Sequence, residues 1–426
     1  MIIQHLPRFA HSFFRPLESD LSKPQFTHLW ALVLGLVVNL RAAKLLHLCA
    51  VAPAGGHRTR CGAFLCHSAW DAPALLHDAA ADLLGSMRPR AGEVLYLILD
   101  DTRLPKRGAK MHWVSWVWCH KQQKFIRGHV VLTAALCFRG VVLPWKIELW
   151  KPKGCAGPRY RKLTTMAADM VRALEAPGGV KVRVLFDAFY LCTALVKACR
   201  SKDFTFFSVA QRNRSFTTPD GRKRKVADLM PGLIRHKGKN AHFKRARGRG
   251  VRIRLAWADG RLGRLGEVRM VVNKRPRGPW KKCIAGAGLR PPRVVTNETN
   301  LRARQILEIY QRRWPIERTG LRPPRVLFKE LAQDLGLGDY QVLQKDGIVN
   351  HLHACCLAHL MLTHHALRRI GEKARKPNEQ VELPAMSKRL RDLRERLARD
   401  ELSHVLKGAR HAKLRSKLLE HLQAAA

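Results

Sequence analysis

Residues 94–99, Val-Leu-Tyr-Leu-Ile-Leu, are apolar without interruption and run straight into Asp100 and Asp101. A strand with one wet face alternates apolar and polar residues, so an unbroken run belongs to a strand covered on both sides. The stretch Glu93–Asp101 therefore predicts a central strand of a layered α/β sheet. Gly128–Cys137 and Val141–Trp150 read as two further strands joined by the turn Arg139-Gly140. Leu163–Glu175 has helical periodicity, followed by the strand Val180–Asp187, the helix Phe189–Arg200 and the strand Asp203–Val209. The order β-β-β-α-β-α-β predicts a mixed five-stranded sheet with its first and fourth strands both central.

That strand order is the order of a ribonuclease-H-like fold, and the rest of the chain divides around it. Residues 1–90 read as a helical module, with apolar segments Phe26–Leu40, Ala42–Val51 and Ala72–Leu84 broken by the turn-like APAGGH at 52–57. Residues 91–210 hold the first part of the sheet domain, and 211–295 form a β-rich insertion with alternating segments Val251–Trp257 and Glu267–Asn273. Residues 296–368 complete the domain through a long helix starting after Asn300, a residue type favoured at helix N-caps, and an apolar helix Val342–Leu367. Residues 369–426 are a charged tail, helical over 385–424.

The chain carries 79 Lys+Arg against 32 Asp+Glu, a formal charge of +47. Between Gln211 and Lys282 stand 23 Lys+Arg and 4 Asp+Glu, including GRKRK at 221–225 and KRARGRGVRIR at 244–254. A solvated surface keeps its field small by interspersing acids, and these are nearly absent, so a polyanion is the expected partner. Neutralising nucleic-acid phosphates releases counterions and gives strong, salt-dependent affinity. Arg222, Lys223, Arg224, Lys225, Lys244 and Arg245 are the candidate DNA-binding residues. The longest apolar run, Leu29 to Leu40, is far shorter than the roughly 20 residues of a membrane span. No secretory signal pattern opens the sequence, and eleven scattered Cys without a CxxC pair fit reduced thiols, so a cytoplasmic protein is expected.

Chemistry must come from other residues. Asp100 and Asp101 end one predicted strand and Asp187 ends another, the place where α/β enzymes set reactive groups. Glu317 lies downstream with Tyr310 and Arg313 at helical spacings of three and four. Three carboxylates converging from two strands and a helix suit two divalent cations, and oxygen-only ligands favour Mg²⁺, with Mn²⁺ as a substitute. DDTRLPKRG (100–108), FDAFY (186–190) and IYQRRWPIE (309–317), in that order around a basic β-rich insertion, resemble the insertion-sequence transposases with an Asp-Asp-Glu catalytic domain. The branch resembled carries a Tyr-x-x-Arg-x-x-x-Glu-(six residues)-Lys signature, and the likeness extends from about residue 60 to 365. It implies a ribonuclease-H-like catalytic domain, DNA cleavage and strand transfer, two Mg²⁺ ions, and action as a homodimer on double-stranded transposon ends and target. It also implies that Asp101, Asp187 and Glu317 are the catalytic and metal-holding acids, that Tyr310 and Arg313 touch DNA, and that the N-terminal helices bind the ends. Strand periodicity does not choose between Asp100 and Asp101, because both faces of 94–99 are apolar. A DNA binder that does not cut and a generic metal-dependent nuclease are the alternative functions.

The fourth signature residue departs from the pattern. GLRPPRV occurs at 288–294 and again at 320–326, and the second copy belongs to an insert, RTGLRPPR at 318–325, just past Glu317. Gly320, Pro323 and Pro324 predict a helix that ends near Arg318 and restarts near Val326. With the insert removed, Ala332 stands where the signature has Lys, and Lys329 lies nearby out of register. His351, Cys355 and His359 recur every four residues on one helix, a stripe that suits Zn²⁺ or, more commonly, an apolar packing face.

Overall fold

The computed structural model describes residues 2–119, 122–243, 251–274, 293–313, 324–371 and 376–408. Within them one mixed sheet of twelve strands is covered by helices. Its strands are β1 (Val94–Pro105), β2 (Ser115–Cys119), β3 (Lys124–Phe138), β4 (Val141–Leu149), β5 (Lys181–Leu185) and β6 (Thr205–Val209), followed by β7 (Ser215–Thr217), β8 (Lys223–Lys225), β9 (Lys239–Phe243), β10 (Val251–Arg261), β11 (Glu267–Lys274) and β12 (Arg293–Thr296). They lie in the order β2-β3-β1-β5-β6-β12-β11-β10-β7-β8, with β4 also on β3 and β9 on β10. β1 is antiparallel to β3 and parallel to β5, and β5 is parallel to β6. The helices Leu163–Arg172 and Thr193–Ser201 make the crossovers that parallel pairing requires.

Both faces of β1 are covered, which is why its apolar run does not alternate. Leu95, Leu97 and Leu99 join the large core with Met166, Met170 and Leu195. Tyr96 and Ile98 pack on the other side with Ile306, Leu307 and Tyr310 of the helix Ala303–Gln311. Five buried apolar side chains in a row, at about 1.5–3 kcal/mol each, make β1 the anchor of the sheet. At its start Glu93 and Arg139 form a buried pair, with Oε1 to Nε at 2.9 Å and Oε2 to Nη2 at 2.6 Å. The backbone amides of Arg90 and Asn378 also donate to Glu93, and Arg139 Nη1 donates to the Met87 carbonyl. The Arg139 guanidinium, assisted by those amides against the opposing effect of burial, holds the Glu93 carboxyl at about 2. Arg139 and Gly140, both at positive φ, turn β3 into β4 where the sequence places that turn.

The strands depart from the sequence reading in three ways. β1 continues four residues past Asp101 to Pro105, so the two acids lie within the strand and not at its end. β2 has no counterpart among the expected strands; its five residues pair with the start of β3, which begins at Lys124 instead of Gly128. The basic insertion continues the main sheet, because β12 pairs antiparallel with β6 and so covers an edge whose backbone groups would otherwise be exposed. That insertion also contains a helix, Val226–Lys237.

The helical side is built around Lys345–Ile370, which packs on Lys23–Val38, Arg58–His67, Ala72–Ser86 and β4. Ser22 and Asp71 cap two of these helices, with Gln25 returning to the Ser22 amide at 2.9 Å and Asp71 accepting from Ala74 N at 2.9 Å. The His-Cys-His stripe is inside this layer. His351 Nε2 meets the Gly336 carbonyl at 3.1 Å, Cys355 Sγ donates to the Leu335 carbonyl at 3.3 Å, and His359 Nε2 meets Glu330 Oε2 at 3.0 Å. Each polar group is thus committed to holding the 330–336 segment against the long helix. Among the described residues no helix is long and apolar enough to cross a membrane.

Candidate active site

The parallel partner of β1 stops early. Leu185 of β5 lies opposite Ile98, whereas β1 and β3 remain paired through Pro105 and Gly128. Asp100 and Asp101 therefore emerge just where β5 has ended and the chain turns through Phe186 and Asp187. Asp187 Oδ1 accepts from the amides of Phe189 at 2.8 Å and Tyr190 at 3.4 Å, an Asx-type turn that fixes the start of the next segment. Ser208 Oγ donates to the Asp187 carbonyl at 3.0 Å. The turn sends the fully buried Tyr190 ring back towards β1, where its hydroxyl donates to Asp101 Oδ1 at 2.8 Å. Tyr190 thus joins the two acids, its hydroxyl on Asp101 and its backbone amide on Asp187. Burial, and then Asp101, Asp100 and Asp187 in that order, push its phenol far above its usual range.

Successive strand residues face opposite sides, so Asp100 and Asp101 have different neighbours. Asp101 Oδ2 lies 2.5 Å from Arg103 Nη1, two residues on and on the same face. Asp100 Oδ1 lies 3.6 Å from Nη1 of Arg313. Arg313 is buried, and its Nε donates to Tyr310 Oη at 3.0 Å. Tyr310 Oη in turn donates to the Phe186 carbonyl at 3.3 Å, the residue before Asp187. Burial alone would lower the Arg313 pKa, but Tyr310, Asp100 and Asp187 together hold it above the ordinary value.

Of the residues singled out from sequence, Asp101, Asp187, Tyr310 and Arg313 are brought together, with Asp100 beside them. Tyr310 and Arg313 are buried here and meet the acids and the backbone next to Asp187. Glu317, Lys244 and Arg245 lie outside the described residues. The helix before Glu317 starts at Ala303, capped by Gln305 on the Arg302 amide, and not directly after Asn300. It ends at Gln311, earlier than the expected Arg318, and Pro315 gives the reason. Proline has no N–H to donate to the Gln311 carbonyl, and it disfavours helical backbone in the residue before it. The chain is helical again from Pro324, which tolerates the first helical position. Two residues without an assigned role in the sequence reading prove central: Tyr190, three positions past Asp187, and Arg103, whose two-residue spacing from Asp101 on a strand was the available signal.

Lys223–Lys225 form β8 with all three side chains exposed, and Arg222 is paired with Asp220 at 3.1 Å. Arg222 and Arg224 line a groove of about 900 Å³ with Lys237, Lys239, Trp257 and Asp259 among others. A basic groove with one half-exposed indole has the chemistry of a phosphate-backbone surface.

The family model for the DDE superfamily endonucleases matches residues 16–260. The chain belongs to that family. It is also 30% identical over 129 residues to a probable transposase for insertion sequence element IS701 from Microchaete diplosiphon. The matched stretch is 30% of this chain and 33% of that relative, so the chain spans about a third of the length of the curated protein it matches.

Proposed function

We propose that this endonuclease is a DNA transposase that cuts insertion-sequence ends and joins them to target DNA. The observation that carries the reading is the meeting of Asp101 and Asp187 through Tyr190, in a chain of net charge +47. The run β3-β1-β5-β6, with β1 and β5 central, supports a ribonuclease-H-like catalytic core assembled from 91–210 and 296–368. The donor set is carboxylate oxygen, which suits two Mg²⁺ ions or Mn²⁺. Among the described residues no group of three His, Cys, Asp or Glu is arranged to hold an ion; the third acid of the proposed set is Glu317, which lies outside them. When bound, such ions activate an attacking oxygen and stabilise the leaving oxygen of a phosphodiester.

The chain's own residues do the rest. Asp101 and Asp187 would hold the metal ions, with Tyr190 fixing the orientation of Asp101. Arg103 supplies the positive charge beside Asp101 that a metal ion held there would otherwise provide. Arg313, kept charged by Tyr310 and Asp100, turns positive charge towards the place of the scissile phosphate. Water attacks a phosphorus at the insertion-sequence end and breaks its P–O3′ bond, freeing a 3′-hydroxyl; that hydroxyl then attacks a target phosphorus, whose own 3′-oxygen leaves as a hydroxyl. The groove with Arg222, Lys223, Arg224 and Lys225, together with Lys244 and Arg245, carries the DNA flanking the cut. A homodimer on DNA, end binding by residues 1–90 and a cytoplasmic, nucleoid-associated location complete the reading.

The test is metal-dependent joining of a labelled DNA end to a second duplex by wild type and by Asp101→Asn, Asp187→Asn and Glu317→Gln. Each amide is expected to abolish cleavage with duplex binding retained, since only charge at the metal positions is removed. Cleavage by Asp187→Asn at the wild-type rate removes this site. A wild-type protein that cuts without joining is a nuclease, and one that binds without cutting is a non-catalytic binder.

A further inference from the structure

Three of the large apolar side chains exposed on the described surface belong to one hairpin: Trp116 at 64%, Trp118 at 37% and Phe125 at 61%. β2 and β3 pair Trp116 with Arg127 and Trp118 with Phe125, so the four side chains form two cross-strand rungs on one face. The Arg127 guanidinium lies 5.2 Å from the Trp116 ring, and the Trp118 and Phe125 rings meet edge to face at 5.2 Å. The opposite face supplies the hairpin's own core, in which Val117, Cys119, Ile126 and Val130 pack with Trp150 and Leu163. The aromatic rungs are therefore not needed to bury the hairpin.

The charge of the surroundings identifies what would cover them. From Thr102 to Gly128 the sequence has seven Lys and Arg and no Asp or Glu, so the partner is anionic. The β1–β3 register pairs Asp100 with Thr133, and alternate residues from Thr133 lead along the same face of β3 to Arg127 and Phe125. At about 3.4 Å per residue, Arg127 lies about 20 Å and Phe125 about 27 Å beyond the acids. Thr133, Val131 and His129 between them are buried, so the rungs form a surface separate from the acids.

We propose that the β2–β3 hairpin is a second DNA site, which stacks unpaired bases of a DNA strand on Trp116 and Phe125 while Lys124 and Arg127 meet its phosphates. Flat aromatic faces flanked by cations take bases whose own faces are open, and a paired duplex offers these only at its ends. The proposal rests on DNA as substrate, as argued above. It goes beyond it in assigning a surface outside both the acid site and the basic insertion, and in naming the form of DNA recognised.

The test uses fluorescence anisotropy with the full chain and two labelled probes, a duplex and the same duplex carrying a twelve-nucleotide single-stranded 3′ extension. Alanine replacement of a stacking aromatic weakens single-strand binding by roughly five- to 150-fold per base. The Trp116→Ala, Phe125→Ala double variant is expected to lose at least tenfold affinity for the extended probe and less than twofold for the plain duplex. Trp116→Tyr with Phe125→Tyr should stay within threefold of wild type on both. Unchanged affinity of the alanine variant for the extended probe, or an equal loss on both probes, overturns the proposal. If the alanine variant does not fold, photocrosslinking decides: a bromodeoxyuridine extension on wild-type protein must label a peptide within 115–127, and labelling elsewhere refutes the assignment. Wild-type protein that binds neither probe refutes DNA as the substrate and this site with it, an outcome distinct from a hairpin variant that behaves as wild type.

Discussion

Arg103 offers the sharpest test of the proposed acid site, because its guanidinium stands where the proposed divalent cation would bind Asp101. Nη1 is 2.5 Å from Asp101 Oδ2, the Asp101 side chain is 7% exposed and that of Arg103 is 29% exposed. Two unit charges with centres about 4 Å apart attract by about 1 kcal/mol in water and by about 4 kcal/mol at the effective dielectric of a protein surface. Solvent at Arg103 screens the pair towards the lower end, leaving about 1–2 kcal/mol. A Mg²⁺ ion binding Asp101 must displace this attraction. Arg103→Gln retains a hydrogen-bond donor for Asp101 and removes the competing charge. Isothermal titration of Mg²⁺ into the variant should therefore show roughly five- to 30-fold tighter binding than wild type, and Asp101→Asn in the same background should erase the gain. Cleavage at limiting Mg²⁺ should rise in parallel. Equal or weaker Mg²⁺ binding by Arg103→Gln would mean that Arg103 organises Asp101 rather than standing in for a cation.

Neutralising Arg222, Lys223, Arg224 and Lys225 together should flatten the log–log dependence of duplex affinity on salt by about 0.9 for each phosphate no longer neutralised, and an unchanged slope removes β8 from the interface. Glu93→Gln leaves Arg139 buried without its charge partner and should cost about 3–5 kcal/mol in denaturant unfolding at pH 7. Because the folded Glu93 carboxyl is depressed from 4.5 to about 2, the pair's contribution is complete above about pH 4.5 and fades as pH falls towards 2. The wild type should accordingly lose its advantage over Glu93→Gln in that window, and a gap that stays constant down to pH 2 contradicts the assignment. Deleting Arg318 to Arg325, which joins Glu317 directly to Val326, should raise strand transfer at least tenfold and raise the melting temperature, with Ala332→Lys adding to activity. Equal activity in the deletion protein would make the insert a tolerated loop.

The parts of the fold visible in the sequence are those that local chemistry dictates. The double-sided apolar run of β1, the Arg139-Gly140 turn and the alternation of helices and strands after Leu163 are all properties of short segments, and the structure has each of them. What escaped were decisions made by neighbours. β2 is a short Trp-rich strand whose inner face finds Trp150 and Leu163, and no pattern of its own marks it out. The merging of the insertion with the main sheet depends on β12 returning across more than 80 residues to pair with β6. Periodicity alone predicts too long a helix after Ala303, because it takes no account of Pro315, which has no N–H to give to a helix continuing past Gln311.

The choice between Asp100 and Asp101 shows why a site can be located without being resolved. A strand buried on both faces removes the alternation that would tell inside from outside, so the sequence places two acids at one level and says nothing of their directions. The structure uses both directions. Asp101 turns to Tyr190 and thereby to the Asp187 turn, whereas Asp100 turns to the buried Arg313. A guanidinium that deep costs several kcal/mol unless carboxylate and phenol oxygens meet it. Asp100 and Tyr310 are what allow a permanent positive charge to stand beside the acids. Replacing Asp100 with a neutral residue would leave Asp101 intact and still alter the charge balance around it. Adjacent positions on one strand thus serve two directions: one carboxylate meets Tyr190 and Arg103, the other meets the buried Arg313.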